Sequence, residues 1–288
     1  MFDEAVLDVN IKGMADETMK YPLAYGYSLV GVVTKCAADV PDAKDLVGKL
    51  VFTFSPHSSH VIVDRDSIKI VPDGVSARDA IFMPSVETAL SIVHDAHVRV
   101  GEKVAIYGQG LIGLLVNAIL SRTHQTQIVQ SGNLGTVTVF DTISDRLAAA
   151  SKMGAYQALL PSEAANAGPF DVSIEVSGNY RALQSAIDHT SNGGRIIIGS
   201  WYGNADIALK LGIDFHRSHK VIQTSQVSEI PAKLQTLWSK ERRFELTWEL
   251  VKQLRPSRLI TKEVTLDRAQ EAYTLLDNGK EIAVAFSF

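Results

Sequence analysis

Tyr107 to Leu115 reads YGQGLIGLL, with Gly108, Gly110 and Gly113 in the spacing Gly-x-Gly-x-x-Gly ahead of an apolar segment. Between a strand and a helix, such a loop can hold a diphosphate. Gly108 permits a tight turn, Gly110 lets the backbone approach the phosphates, and Gly113 lets the helix pack on the strand. The start of the helix, Leu111 and Ile112, then points its amides at the negative charge. The plainer reading of the same residues is a strand-to-helix turn without a ligand.

A carboxylate at the end of the next strand can accept hydrogen bonds from the hydroxyls of an adenosine ribose. Asp141, which closes TVTVFD, has that place. It comes later than the usual spacing of about 20 residues, because THQTQIVQSGNLG intervenes, a stretch read as an extended surface loop. A carboxylate repels a 2′-phosphate, so Asp141 favours NAD over NADP. Arg146 weighs the other way, since an arginine just beyond this strand can pair with such a phosphate, and NADP stays possible. Ser177 and Gly178 in EVSGN, and Gly199, Ser200 and Trp201 in GSWYG, end later strands, where the nicotinamide half of a dinucleotide would lie. Trp201 and Tyr202 can stack on a flat ring or simply pack.

Proton transfer needs a different set of groups. His57 and His60, in FSPHSSH, follow an expected strand, and imidazoles titrate near neutral pH; a solvated loop histidine is the plainer alternative. His94 and His97 flank a helix end without a carboxylate or cysteine cluster beside them, and His216 and His219 have basic neighbours, so neither pair reads as a metal site. With Cys36 the only cysteine, no intramolecular disulfide can form and no cysteine cluster can hold a metal; it reads as a small packed residue.

These residues need elements to carry them. From Leu29 to Val71 the pattern is short β-rich runs, LVGVVTK, KLVFTF, HVIV and IKIV, broken by turn residues. SARDAIFMPSVETALSIVHDA has apolar residues at helical spacing. Then strands EKVAIYG, TVTVFD, FDVSIEVSG, GRIIIGS and HKVIQTSQV alternate with helices LIGLLVNAILSR, DRLAAASKMG and YRALQSAIDHT, which predicts a doubly wound parallel sheet. The tail returns to mixed structure with ELTWELVKQL, LITKEV, LDRAQEAYTLLDNG and IAVAFSF. The expected organisation is an α/β chain with a Rossmann sheet at 91–240, inserted in a β-rich domain made of 1–90 and 241–288.

The chain has 288 residues, 46% hydrophobic and 21% charged, which is enough to bury cores for two domains. A net charge of -4 with scattered Lys and Arg argues against a nucleic-acid partner. The acidic amino terminus lacks the basic and apolar regions of a signal peptide, and no apolar run has membrane-spanning length; the expectation is a cytoplasmic protein that does not engage a membrane.

With GYSLVGVV, VGKLVFTFSPH, MPSVETALSIVHDA, GEKVAIYGQGLIGLL, DVSIEVSGN, GGRIIIGSWYG and the tail in this order, the chain resembles the medium-chain dehydrogenase/reductase family, the zinc alcohol dehydrogenase relatives. Within it, YPLAYGYSLVGVV and GSWYG are similar to the subgroup that includes 2-desacetyl-2-hydroxyethyl bacteriochlorophyllide dehydrogenase. The resemblance implies a GroES-like catalytic domain, truncated here, around the Rossmann domain, with a dinucleotide in the cleft between them. It places Thr88 near the nicotinamide, and it implies a homodimer through the edge strand HKVIQTSQV. The departures concern the metal. Where zinc-dependent members carry a histidine ligand and a neighbouring glutamate, this chain has Tyr27 and Ser28; the second ligand position holds Met83, and no cysteine precedes Tyr27. The implied site has no zinc, and Tyr27 becomes either the hydrogen-bond donor to the substrate oxygen or a packed aromatic in the vacated space. Two functions fit: a zinc-independent oxidoreductase moving a hydride between a nicotinamide and a small alcohol/carbonyl or an activated enone or quinone, or a dinucleotide-binding sensor without catalysis.

Overall fold

Short apolar runs separated by Gly, Pro and Asp fold first into an antiparallel sheet of three strands. In this computed structural model, which describes residues 24–124, 135–203 and 205–288, β1 (Leu29–Val32), β2 (Leu50–Thr53) and β3 (Ile68–Ile70) pair in the order β1-β2-β3. A short helix, α1 (Ala43–Leu46), brings Leu46 onto Val51 and Ile68, with Cys36 packed against this cluster as a small apolar residue. HVIV forms no strand. Ile62 is fully exposed there, and β-propensity has effect only where a neighbouring strand accepts the ladder. The amino-terminal reading and most of THQTQIVQSGNLG lie outside the described residues.

After α2 (Ala77–Ala80), capped by Ser76, the chain enters α3 (Met83–Ala96) and then alternates: β4 (Val104–Tyr107), α4 (Leu111–Thr123), β5 (Val137–Phe140), α5 (Ser144–Lys152), β6 (Gln157–Leu159), α6 (Ala164–Ala167), β7 (Phe170–Glu175), α7 (Tyr180–Asp188), β8 (Thr190–Ile198), α8 (Ile213–Arg217), β9 (Val221–Thr224) and α9 (Lys240–Leu254). All five pairings are parallel, in the order β6-β5-β4-β7-β8-β9. The α/β class and the doubly wound sheet are therefore those expected from the alternation. The order reverses direction between β4 and β7, and ligands of such sheets bind outside the carboxyl ends at that point. The four side chains of β4, VAIY, are buried, each contributing about 1.5–3 kcal/mol of transfer free energy where large. The chain closes with β10 (Ile260–Thr265), α10 (Ala269–Asp277) and β11 (Ala283–Ser287), the two strands pairing in parallel.

These elements make two compact units. One holds the described part of Met1–Phe82 with Tyr202–Asp206 and Ile260–Phe288; the other holds Met83–Trp201 and Ile207–Leu259. Both α3 and α9 belong to the second unit, so the expected limits at residues 90 and 240 fall inside α3 and at the first residue of α9. A buried ion pair joins these helices: Arg243 donates to Glu87 Oε1 through Nε (3.1 Å) and Nη2 (2.9 Å), and to the carbonyls of Val227 and Glu229. Beside it, the His94 ring lies 4.5 Å from that of Trp238. Arg195 on β8 closes the end of α3, donating to the carbonyls of Ala96 and His97 while paired with Glu102. Among the described residues, no helix is long and apolar enough to cross a membrane.

Candidate dinucleotide site

The glycine loop joins β4 to α4 at the point where the strand order reverses. Gly108 has φ +98°, a conformation closed to most side chains, and a methyl group there would lie 2.7 Å from the backbone of Ser177. A methyl group on Gly113 would collide with the carbonyl oxygen of Gly108. Gly110 differs from both: at φ −71° its backbone accepts any residue, and the nearest atom to an added methyl is Arg146 Nη1 at 3.9 Å. The first glycine and the third are thus demanded by the fold. The second leaves a free approach to the backbone, which the fold itself does not use.

The first bond of α4 runs from Leu114 N–H to the Gly110 carbonyl, 3.0 Å. The amides of Leu111, Ile112 and Gly113 precede it, at the positive end of a helix of 13 residues. Asp141, at the end of β5, is buried; its Oδ2 accepts from Gln109 N–H at 2.6 Å and its Oδ1 from Ile143 N–H at 2.9 Å. The carboxylate expected to meet a ribose therefore also fastens the glycine loop to the neighbouring strand. Each carboxylate oxygen has two lone pairs, so both retain capacity for a hydroxyl.

On the other side of β4, the ends of β7 and β8 are tied together. Gly178 N–H donates to Ser200 Oγ at 2.8 Å, and Ser177 donates through N–H and Oγ to Glu175 Oε1, each at 2.6 Å. Gly199 faces α3: a methyl group there would meet Ile92 Cδ1 at 2.7 Å, so its smallness serves helix packing. Trp201 is exposed, and Thr88 is half-buried on α3. Gly108, Gly110, Asp141, Ser177, Gly178, Gly199 and Ser200 thus sit at the carboxyl ends of parallel strands or in the loops that follow, and Leu111, Ile112, Gly113 and Arg146 in the first turns of the helices α4 and α5 after them.

Gln109 and Glu175 complete this frame without having been singled out from the sequence. Gln109 is fully buried and donates through Nε2 to the Gly108 carbonyl at 2.7 Å; Glu175 has no exposed surface. A polar residue inside an apolar run, as in VSIEV, is the signal that could have marked Glu175; Gln109, between two glycines, carries no such signal.

Tyr27, His57 and His60 belong to the other unit. His57 is half-buried: its backbone N–H donates to the Tyr25 carbonyl at 2.9 Å and its ring meets Phe286 edge-on at 4.8 Å. Burial lowers its pKa, which keeps the imidazole neutral near pH 7. His60 is exposed and pairs with Ser59 Oγ at 3.2 Å. Tyr27 is 60% exposed. Ser28 Oγ donates to the Ile81 carbonyl, and Met83 is fully buried. A phenol, a hydroxyl already engaged and a thioether are not the donor set of a catalytic zinc. Among the described residues, no group of three or more His, Cys, Asp or Glu could hold a metal ion.

No protein-family model matches the chain. It is 29% identical over 262 residues to D-guloside 3-dehydrogenase of Escherichia coli K12, covering 86% of this chain and 72% of that protein. An uncharacterized zinc-type alcohol dehydrogenase-like protein of the same organism is 24% identical over 281 residues, covering 92% and 73%. In fold, the chain is similar to the crystal structure of a short chain alcohol dehydrogenase from E. coli CFT073 complexed with NADH, with a TM-score of 0.73 at 16% identity over 93% of this chain and 85% of that one.

Proposed function

Because this chain belongs to the medium-chain dehydrogenase/reductase family of zinc-type alcohol dehydrogenase-like proteins, we propose that it is an NAD(H)-linked oxidoreductase acting on an alcohol/carbonyl pair without a catalytic zinc. The observation that carries the reading is Gly110, an unobstructed glycine at the amino end of α4, between two glycines that the fold requires. The nicotinamide, when bound, supplies or accepts the hydride, and the protein's part is to bind, orient and move a proton. The amides at the start of α4 bind the diphosphate, and Asp141 takes the adenosine ribose and disfavours a 2′-phosphate. Ser177, Gly178 and Ser200 receive the nicotinamide half.

The oxidised hydroxyl must also lose a proton. His57 is the proton acceptor in this reading, since its partial burial keeps it in the basic form at neutral pH, and Tyr27 offers an exposed phenol as hydrogen-bond donor to the substrate oxygen. A sugar or polyol hydroxyl is the first substrate class to try, given the relative that oxidises a guloside; conjugated carbonyls and quinones, which need little Lewis-acid help, come second. Pairing of β9, the exposed edge of the six-stranded sheet, with its copy would make a homodimer, visible by sedimentation as twice the chain mass.

The deciding experiment is hydride transfer over a panel of glycosides, polyols, enones and quinones, with NAD(H) and NADP(H) in parallel and with a chelator. Turnover that survives the chelator is expected. Turnover abolished by it overturns the zinc-free reading, and tight NADH binding without turnover on any substrate favours a sensor over an enzyme.

A further inference from the structure

Glu175 is a charged residue at the end of a buried strand, yet it has no exposed surface, and it stands next to Tyr107 in the register of β4 and β7. One of its oxygens accepts two bonds from a single residue, Ser177 N–H and Oγ, both at 2.6 Å. The Ser177 Oγ then accepts from Asn179 N–H at 3.1 Å, and Asn179 Oδ1 accepts from Arg181 N–H at 2.9 Å, capping α7. The turn from β7 into α7 is therefore held from below, link by link. What it holds matters: the Ser177 backbone occupies the space beside Gly108, and Gly178 is tied to Ser200 on the next strand end.

We propose that Glu175 is the positioning residue for the nicotinamide half of the cofactor. It sets the height of the 176–178 turn between the glycine loop and the end of β8. This rests on the dinucleotide reading above and adds to it an asymmetry. Asp141 anchors the loop from β5, on one side of β4, whereas Glu175 acts from β7, on the other side. Loosening the Glu175 turn should leave the adenosine half untouched.

The test is titration of the full-length protein with NADH and, separately, with ADP-ribose, which lacks the nicotinamide. Glu175→Leu, close in size, removes the acceptor of both Ser177 bonds; it should raise the Kd for NADH at least about tenfold, the value of one hydrogen bond to a charged group, and change that for ADP-ribose less than twofold. Glu175→Gln retains an acceptor oxygen and should restore NADH binding to within about threefold of wild type. Ser177→Ala, a milder change should Glu175→Leu not fold, should weaken NADH selectively in the same direction. Equal losses for both ligands, or no loss in any variant, would overturn the positioning role while leaving the dinucleotide reading intact. Failure of the wild-type protein to bind either ligand would overturn both.

Discussion

Substituting Gly110 and Gly113 separately should divide binding from folding. At Gly110 the backbone, φ −71°, suits alanine and the nearest atom is 3.9 Å away, so Gly110→Ala should leave the melting temperature unchanged or slightly raised, by up to about 1 kcal/mol through the unfolded state. The new methyl group would occupy the approach of the diphosphate. Holding that group back from the helix amides costs about one or two charge-assisted hydrogen bonds, roughly 1.5–3 kcal/mol, or about a 10- to 150-fold rise in Kd for NADH. Gly113→Ala has no such choice. Its methyl group collides with the Gly108 carbonyl, so either α4 or the loop must shift, at about 1–3 kcal/mol or more of stability, and binding falls with it. Thermal melts and NADH fluorescence titrations on both variants make the comparison. If Gly110→Ala binds NADH as the wild type does, the loop is a bare strand-to-helix turn and the dinucleotide assignment is wrong.

Other perturbations probe separate parts of the molecule. Asp141→Ala should weaken NADH far more than NADPH, because it removes the proposed ribose acceptor and a carboxylate that would oppose a 2′-phosphate; equal loss for both would leave the residue only its bonds to Gln109 and Ile143. Glu87→Ala strands the Arg243 guanidinium in the α3 and α9 interface, and should cost about 3–5 kcal/mol in thermal or urea unfolding; a change under about 1 kcal/mol would mean that solvent reaches Arg243. Burial first, then Arg243 and Arg242, lowers the His94 pKa to about 4. The unfolded chain, with an ordinary histidine near 6.5, binds the proton more readily, so stability is complete above about pH 6.5 and declines towards pH 4. After allowance for screening at this half-buried ring, the decline due to His94 is about 1–2 kcal/mol, and His94→Leu should remove it from the pH profile of the melting temperature.

The sheet was legible because parallel strands buried on both faces are written as apolar runs, such as VAIY, and the helices between them as amphipathic repeats. β6 escaped because its three residues, QAL, carry no period of their own and pair only through β5. HVIV went the other way: it has strand composition, but the described chain gives it no neighbour. In the site, Gly108 and Gly113 were readable as backbone constraints. The fastening of the glycine loop by Asp141 was not, since its bond to Gln109 spans 32 residues and depends on β4 and β5 lying side by side.

The bonds from Asp141 to Gln109 and from Glu175 to Ser177 run between groups of the protein itself, so the chain's own carboxylates shape the glycine loop and the 176–178 turn. An arriving dinucleotide therefore meets a loop that is already shaped, and little chain entropy remains to be lost on binding. Damage to either carboxylate should then appear chiefly as faster departure of the cofactor, with the rate of its arrival almost unchanged.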